Sequence, residues 1–134
     1  MKTNKVFYYF LFLLIFPLSI YSQSGSKLPK GISDAFKNGN STELSTFFNN
    51  KIELILPTNS DIHSKQQAQF MMRDFFQTYS PKSFNIIHEG IRENATFAIG
   101  KLTSTRGNFR VVILTKNEGG NELIHQLRIE KQDD

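Results

Sequence analysis

The chain has 134 residues, which is room for one domain of ordinary size, with a formal net charge of +4 and no cysteine. Without cysteine it can form neither a disulfide framework nor a thiolate metal site, and it lacks the acceptor for bacterial N-terminal lipidation. Its positive charges are scattered, whereas nucleic-acid binding requires a clustered basic surface. We therefore expect no nucleic-acid partner and a fold stabilised by packing.

The first 22 residues are organised like a secretory signal. Lys2 and Lys5 precede an apolar run at residues 6–20, and a polar segment of small residues follows. Pro17 interrupts the run, which is also shorter than the ~20 apolar residues that span a bilayer, so a membrane anchor is disfavoured. Cleavage after Ser22 would remove two of the 16 Lys and Arg residues and none of the 12 acids, lowering the net charge from +4 to +2. We expect an exported protein, periplasmic or secreted, without membrane contact after cleavage.

A linker at residues 23–27 leads into a predicted single domain at residues 28–131, which begins with two short helices. Pro29 suits a first helical position, and Gly39 ends the first helix. Asn40 or Ser41 is placed to cap the second helix. The apolar stripe of this second helix is Leu44, Phe47 and Phe48.

The next two elements are a strand and a long helix. Residues 51–56 alternate in polarity and predict a strand that ends at Pro57. Ser64 and Gln67 form a capping box for the helix, which ends at Pro81. The apolar face of this helix carries Ala68, Met71, Met72, Phe75, Phe76 and Tyr79. Such a face either packs into the core or forms one wall of a ligand site.

From residue 83 onward the apolar period changes to two, which predicts four strands, at residues 84–89, 95–104, 108–116 and 122–131, and a frayed tail at 132–134. The full order is helix, helix, strand, helix, then four strands. This order is typical of an α+β fold in which an antiparallel sheet carries its helices on one face.

The last two strands form a hairpin whose register decides which side chains face the helices. A three-residue loop at 118–120 puts Gly120 in the left-handed position and Lys116 opposite Glu122. A two-residue turn at Gly119 and Gly120 would place Arg110 among leucines, so we favour the three-residue loop. The buried face would then contain Phe109, Val111, Ile113, Leu123, His125, Leu127 and Ile129.

The same register sets Arg110 directly across from Arg128 on the opposite face. Opposed like charges are mildly unfavourable, so either Glu130 neutralises one arginine or the two form a site for a carboxylate or phosphate. This outer face would also expose three apolar side chains together, which predicts a homodimer through it. They are Val112, Leu114 and Ile124.

The three histidines are too far apart for a standard metal spacing, and we expect no metal and no cofactor. His125 is either a hydrogen-bonded core residue or an acid or base within a cavity. His88, on the predicted face of Phe84 and Ile86, has the same two interpretations, and His63 is expected to be exposed. No known catalytic motif is present, so an enzymatic activity has no positive support at this level.

The element order, the Phe-Arg-Val segment at 109–111 and the closing His-Gln-Leu-Arg-Ile-Glu at 125–130 resemble a family of small secreted bacterial proteins of unknown function. That family is similar to the nuclear transport factor 2-like superfamily, and the resemblance covers residues 28–131. It implies a curved antiparallel sheet of four to five strands wrapped as a cone around about three N-terminal helices, with an apolar cavity. Some superfamily members are isomerases or dehydratases with carboxylate or histidine side chains in the cavity, while others bind ligands or dimerise through the outer sheet face.

Three functions therefore compete. We favour a non-enzymatic ligand-binding or accessory protein for a small apolar or anionic ligand. Its cavity residues would be Phe75, Tyr79, Phe97, Phe109 and His125. An isomerase, dehydratase or hydrolase with His125 as acid or base would need a pocket carboxylate within hydrogen-bond reach of that histidine. A pure protein-interaction module would have a filled cone instead.

Overall fold

The computed structural model describes residues 27–133. The predicted signal segment, most of the predicted linker and the final residue lie outside the described residues. The described chain forms three helices and six strands: α1 (Lys30–Asn38), α2 (Ser41–Ser45), β1 (Phe48–Leu56), β2 (Asn59–Ser64), α3 (Lys65–Thr78), β3 (Pro81–Arg92), β4 (Ala95–Ser104), β5 (Gly107–Glu118) and β6 (Asn121–Gln132). No described helix is long and apolar enough to cross a membrane.

The strands form one curved open sheet in the order β2-β1-β6-β5-β4-β3, and the helices cover its concave face. The α+β class is confirmed, but the sheet has six strands where four to five were expected. It is also mixed, because β1 pairs parallel with β6 while every other pair is antiparallel. Parallel neighbours need a long connection, and the chain from β2 to β5 supplies it.

The two short helices have the predicted caps, with small shifts in their ends. Pro29 is the N-cap of α1 and not its first residue, and Gly39 closes the helix with φ +61°. Asn40 accepts a hydrogen bond from the backbone N–H of Glu43 and so caps α2. However, α2 ends at Ser45, and Phe48 begins β1, where it pairs with Ile124. The predicted helical stripe through Phe47 and Phe48 is therefore wrong beyond Leu44.

Strand β2 is the element that the sequence did not predict. It forms a hairpin with β1 around Pro57 and Thr58, with Leu56 opposite Asn59. Five of its six residues are exposed, and it lies at the edge of the sheet. Because an exposed edge strand needs no apolar alternation, it leaves no period-two signal. Its His63, expected to be exposed, is half-buried, and Nε2 of His63 makes no hydrogen bond.

Helix α3 begins at the predicted capping box. The Ser64 hydroxyl accepts a hydrogen bond from the Gln67 backbone N–H, and the Gln67 side chain accepts one from the Ser64 N–H. The apolar face behind this cap divides in two. Ala68, Met72 and Phe76 are buried in the core, whereas Met71 and Tyr79 are only half-buried.

The β5–β6 hairpin has the register that the sequence argument rejected. Its turn is Gly119 and Gly120, both with positive φ, and Asn117 lies opposite Glu122. A β-bulge then places both His125 and Gln126 opposite Leu114. The extra residue restores the inward direction of the strand, because a bulge shifts the side-chain alternation by one. Leu127 and Ile129 therefore lie opposite Ile113 and Val111 on the inner face, while Arg110 and Arg128 stay outside the core.

This bulge changes which residues of β6 face the helices. Ile124, Leu127 and Ile129 are fully buried, while Leu123 and His125 are only half-buried. Ile124 was expected on the outer face and His125 on the inner one, and both predictions are wrong for the same reason. The strand also extends to Gln132, one residue into the tail that was expected to fray.

A second bulge, at Ile87 in β3, has the same effect on His88. The pairing shifts between Ile86 and His88, so His88 faces outward with Ile99 and not inward with Phe84. Its ring meets Phe97 edge-on, with centroids 5.9 Å apart. Phe97 is 37% exposed on this outer face, which contradicts its predicted place in the cavity.

The interior of the cone is filled by aromatic rings. Phe36 of α1 stacks on Phe84 of β3 with centroids 4.7 Å apart, and Phe76 of α3 meets Phe36 edge-on at 5.8 Å. On the β5 side, the centroid of the Phe109 ring lies 5.2 Å from that of Phe75 and 4.9 Å from that of Tyr79. Buried aromatic surface of this extent is a dominant favourable term in folding. Open space remains at the mouth of the cone, beside the end of α3.

Candidate functional site

A pocket of about 350 Å³ opens between the second half of α3 and the turn that joins β1 to β2. We call it the mouth pocket. Its apolar wall consists of Leu56, Met71, Phe75 and Tyr79. Phe75 is buried and the other three side chains are half-buried, so the wall is continuous with the core.

The helix supplies its side of the mouth pocket by simple periodicity. Met71, Asp74, Phe75 and Thr78 are spaced i, i+3, i+4 and i+7, which places them along one face of α3. Tyr79 follows as the C-cap, and its backbone N–H donates to the Phe75 carbonyl at 2.8 Å. The Phe109 ring packs against the rings of both Phe75 and Tyr79, and it therefore holds them in place at the end of α3.

Polar groups surround the opening of the mouth pocket. Thr58 and Asn59 come from the β1–β2 turn, and Asp74 and Thr78 come from α3. All four are exposed. The Asp74 carboxylate lies 3.3 Å from Nη2 of its neighbour Arg73, and the Asp74 side chain is 68% exposed. Nε and Nη2 of Arg73 both donate hydrogen bonds to this carboxylate, although an ion pair this exposed contributes little to stability.

The five predicted cavity residues do not form one site. Phe75 and Tyr79 line the mouth pocket, and Phe109 supports them from behind while being fully buried. Phe97 lies on the outer face of the sheet, and His125 does not line the mouth pocket. Phe75 and Tyr79 lie on the predicted face of α3 because the helical period is unbroken, whereas Phe97 and His125 lie on strands whose inward face was misjudged.

His125 has a carboxylate neighbour, but not the arrangement that an acid–base role would need. Its Nε2 is buried and lies 3.4 Å from Oε1 of Glu118, close to the hairpin turn. The two atoms are within ion-pair distance but do not make a hydrogen bond. The Glu118 side chain is 51% exposed. The pair is therefore a partly solvated surface contact, charged on both sides only when the histidine is protonated.

The predicted opposition of Arg110 and Arg128 rested on the wrong register. Arg110 lies across from Glu130, and Arg128 lies across from Val112. Nη1 of Arg128 is also 3.3 Å from Oε1 of Glu130. Glu130 thus stands beside both arginines, as the neutralising alternative required, and the geometric reason for an anion site is lost. Within residues 27–133 there is likewise no cluster of three side chains that could hold a metal ion.

The sequence did not predict six residues of the mouth pocket: Leu56, Thr58 and Asn59, together with Pro57, Asp74 and Thr78. The first three were assigned to the end of a strand and a terminating loop, with no hint that a hairpin would fold this turn toward the helix. Asp74 could have been found, because it lies three residues after Met71 on the same helical face.

Comparison with solved structures defines the fold class. A nuclear transport factor 2-like protein of unknown function from Shewanella baltica superposes with a TM-score of 0.62 at 12% identity, covering 78% of this chain and 88% of that one. At this identity the similarity concerns the fold alone. The six-stranded curved sheet with three helices is thus a nuclear transport factor 2-like fold, as the resemblance in the sequence implied.

The family follows from closer relatives. Residues 29–130 match the model of a domain of unknown function, DUF4783. A DUF4783 family protein from Bacteroides ovatus is 39% identical with a TM-score of 0.78, covering 82% of this chain and 100% of that one. A second, from Bacteroides uniformis, is 38% identical with a TM-score of 0.76 and coverages of 80% and 99%. The chain belongs to the DUF4783 family. No protein of curated function matches it.

Proposed function

We propose that this protein is an exported, non-enzymatic binding protein that holds a small, largely apolar molecule in the mouth pocket. The observation that carries this proposal is the pocket itself. Its volume of about 350 Å³ lies at the lower end of the ~300–1,000 Å³ that is usual for small-molecule sites. A larger depression of about 800 Å³ lies beside Phe97 and Leu114, but the mouth pocket is the one whose apolar wall packs against the buried core. Its composition supports the same conclusion, because an apolar wall with a few polar groups at the opening is typical of such sites.

A binding role is favoured over catalysis by the position of the titratable side chains. The histidine that could act as acid or base, His125, lies outside the mouth pocket beside an exposed Glu118. The carboxylate that does line the pocket, Asp74, is largely exposed and close to Arg73. A general base needs to be in reach of the bound substrate and is usually shielded from solvent. His125 does not line the pocket, and the Asp74 side chain is exposed.

The proposal is tested with N-phenyl-1-naphthylamine, a neutral aromatic probe whose fluorescence rises in apolar sites. We expect saturable binding of one probe per chain. Thr78→Trp should abolish it by filling the opening, whereas Gln77→Trp should leave it intact, since Gln77 is exposed on the same helix but does not line the pocket. Equal binding by the two variants, or no binding by the wild type, would contradict the proposal.

Export is a separate part of the proposal, supported by the signal-like pattern of residues 1–22. N-terminal sequencing of the protein from the periplasm of its own host should begin at Gln23. A mature protein that still begins at Met1 would show that the segment is retained.

A second candidate role, a protein-interaction module that forms a homodimer, is favoured by the aromatic filling of the interior, which that alternative required, and by the outer face of the sheet. There Phe97 lies opposite Leu114 and Ile99 opposite Val112, so four apolar side chains are adjacent outside the core. Contiguous apolar surface of this kind often marks a protein interface. Sedimentation velocity should show a dimer that Leu114→Glu converts to a monomer, while the exposed helix variant Gln77→Glu remains dimeric. A wild-type monomer at high concentration would refute this role.

A further inference from the structure

The mouth pocket has a definite charge. Of the described residues that line it, Asp74 alone carries a formal charge, and no cationic side chain faces it across the opening. Arg73 is adjacent in sequence but lies beside the pocket, with its guanidinium carbon 5.1 Å from the centre of the Phe70 ring. A ligand at the opening therefore meets the Asp74 carboxylate, which it would share with the Arg73 guanidinium 3.3 Å away.

The aromatic wall acts in the same direction as this charge. Phe75 and Tyr79 both line the pocket, and their ring centroids are 5.0 Å apart. The faces of such rings attract cations, because their quadrupoles are negative above and below the plane. An ammonium group near Asp74 would gain from both sources, while a carboxylate would be repelled by both.

We propose that the mouth pocket selects cationic apolar molecules, such as an aromatic or aliphatic body that carries an ammonium or amidinium group, over neutral and anionic molecules of the same shape. This inference rests on the proposed binding function and names its ligand class. It reverses the anionic alternative, which depended on the arginines of β5 and β6 and not on the pocket.

The selectivity has a limited size because Asp74 is 68% exposed and Arg73 competes for it. Exposed ion pairs correspond to roughly twofold to fivefold in affinity, so we expect the cation to bind tighter than its neutral analogue by about that factor. The preference should shrink as ionic strength rises, since salt screens charges that face solvent.

The test uses three naphthalene probes of one shape in competition with N-phenyl-1-naphthylamine: 2-naphthylmethylamine as the cation, 2-naphthylmethanol as the neutral molecule and 2-naphthoate as the anion. At neutral pH and low salt, the amine should displace the reporter at the lowest concentration and the carboxylate at the highest.

Four variants show whether Asp74 is the cause. Asp74→Asn should remove the difference between amine and alcohol, and Asp74→Lys should invert the order. Arg73→Gln should strengthen the preference for the amine, because the competing guanidinium is gone. Glu93→Gln is the matched control: it removes an exposed carboxylate in the β3–β4 turn, at the opposite edge of the sheet, and should change nothing.

The outcomes separate this inference from the function on which it rests. If the reporter binds and Thr78→Trp abolishes binding, but the three probes compete equally or Asp74→Asn keeps their order, the charge selectivity is wrong and the binding function stands. If neither the reporter nor any probe binds to the wild type, both are wrong.

Discussion

Gly100 and Phe84 show how single residues determine the inner surface of the sheet. A Cβ at Gly100 would lie 2.5 Å from two ring atoms of Phe84, which is closer than carbon atoms can approach. Phe84 has little freedom to move away, because it is buried and stacked on Phe36. The small inward side chains of β4 therefore make room for rings that come from β3 and α1.

We predict that Gly100→Ala destabilises the protein by about 1–3 kcal/mol, the usual cost of overpacking. The matched control is Gly90→Ala in β3, where the nearest atom to an added Cβ is 3.9 Å away, and its cost should stay within about 0.5 kcal/mol. Urea unfolding of both variants measures the difference. Similar midpoints for the two would show that the Phe84 ring does not restrict Gly100.

Phe97 was assigned to the inner face of β4 from its residue type alone, and this assignment is wrong because the inner face needs small residues. An aromatic side chain among Thr96, Ala98 and Gly100 looks like the inward residue of β4. In the structure the small residues face inward, and Phe97 is left outside beside His88. Hydrophobicity could not decide this, because the space inside the cone is already filled by rings that are distant in sequence.

At the scale of elements, the β5–β6 hairpin depends on its bulge. Ile124 faces inward near the turn, so a regular strand would send Gln126 and Arg128 into the core, and the extra residue at His125 prevents this by reversing the alternation of β6. A bulge inserts a single extra residue and produces no recognisable pattern of apolar residues in the sequence. The faces of Ile124, His125 and, in β3, His88 could not be predicted for this reason.

Because of the bulge, we predict that His125 and Leu127, two residues apart in β6, contribute very differently to the free energy of unfolding. His125→Gln should change the free energy of unfolding by less than about 1 kcal/mol, because this side chain lies outside the buried row. Leu127→Ala should cost about 2–5 kcal/mol, since Leu127 is fully buried and its loss creates a cavity. Thermal or urea unfolding of the pair is decisive, and comparable losses would place His125 back in the core.

Elements with strong local signals were predictable. The capping box of α3, the caps of the two short helices and the ends of β4 at Ala95 and Ser104 all follow from the chain itself. Strand β2 was not predictable, because five of its six residues are exposed and pair along the edge of the sheet. Its absence from the prediction also hid the turn that closes the mouth pocket.

For the whole molecule, the α+β class and the family resemblance were correct, while the position of the empty space was not. A cavity was expected between α3 and the strands that carry Phe97 and His125. The aromatic core fills that space, and the mouth pocket lies beside it, where Met71, Phe75 and Tyr79 meet the β1–β2 turn. The position of a cavity depends on how side chains pack in three dimensions, and the periodicity of apolar residues in the sequence does not report this packing.

The two methionines of α3 offer a direct test of ligand binding in the mouth pocket. Met71 lines the pocket, whereas its neighbour Met72 is fully buried in the core. With ¹³C-methyl methionine, each gives a separate NMR signal, assigned with the variants Met71→Leu and Met72→Leu. Addition of 2-naphthylmethylamine should shift the Met71 methyl signal in a saturable manner and leave that of Met72 nearly unchanged. If Met71 does not respond, or if both signals shift together, the mouth pocket is not the binding site.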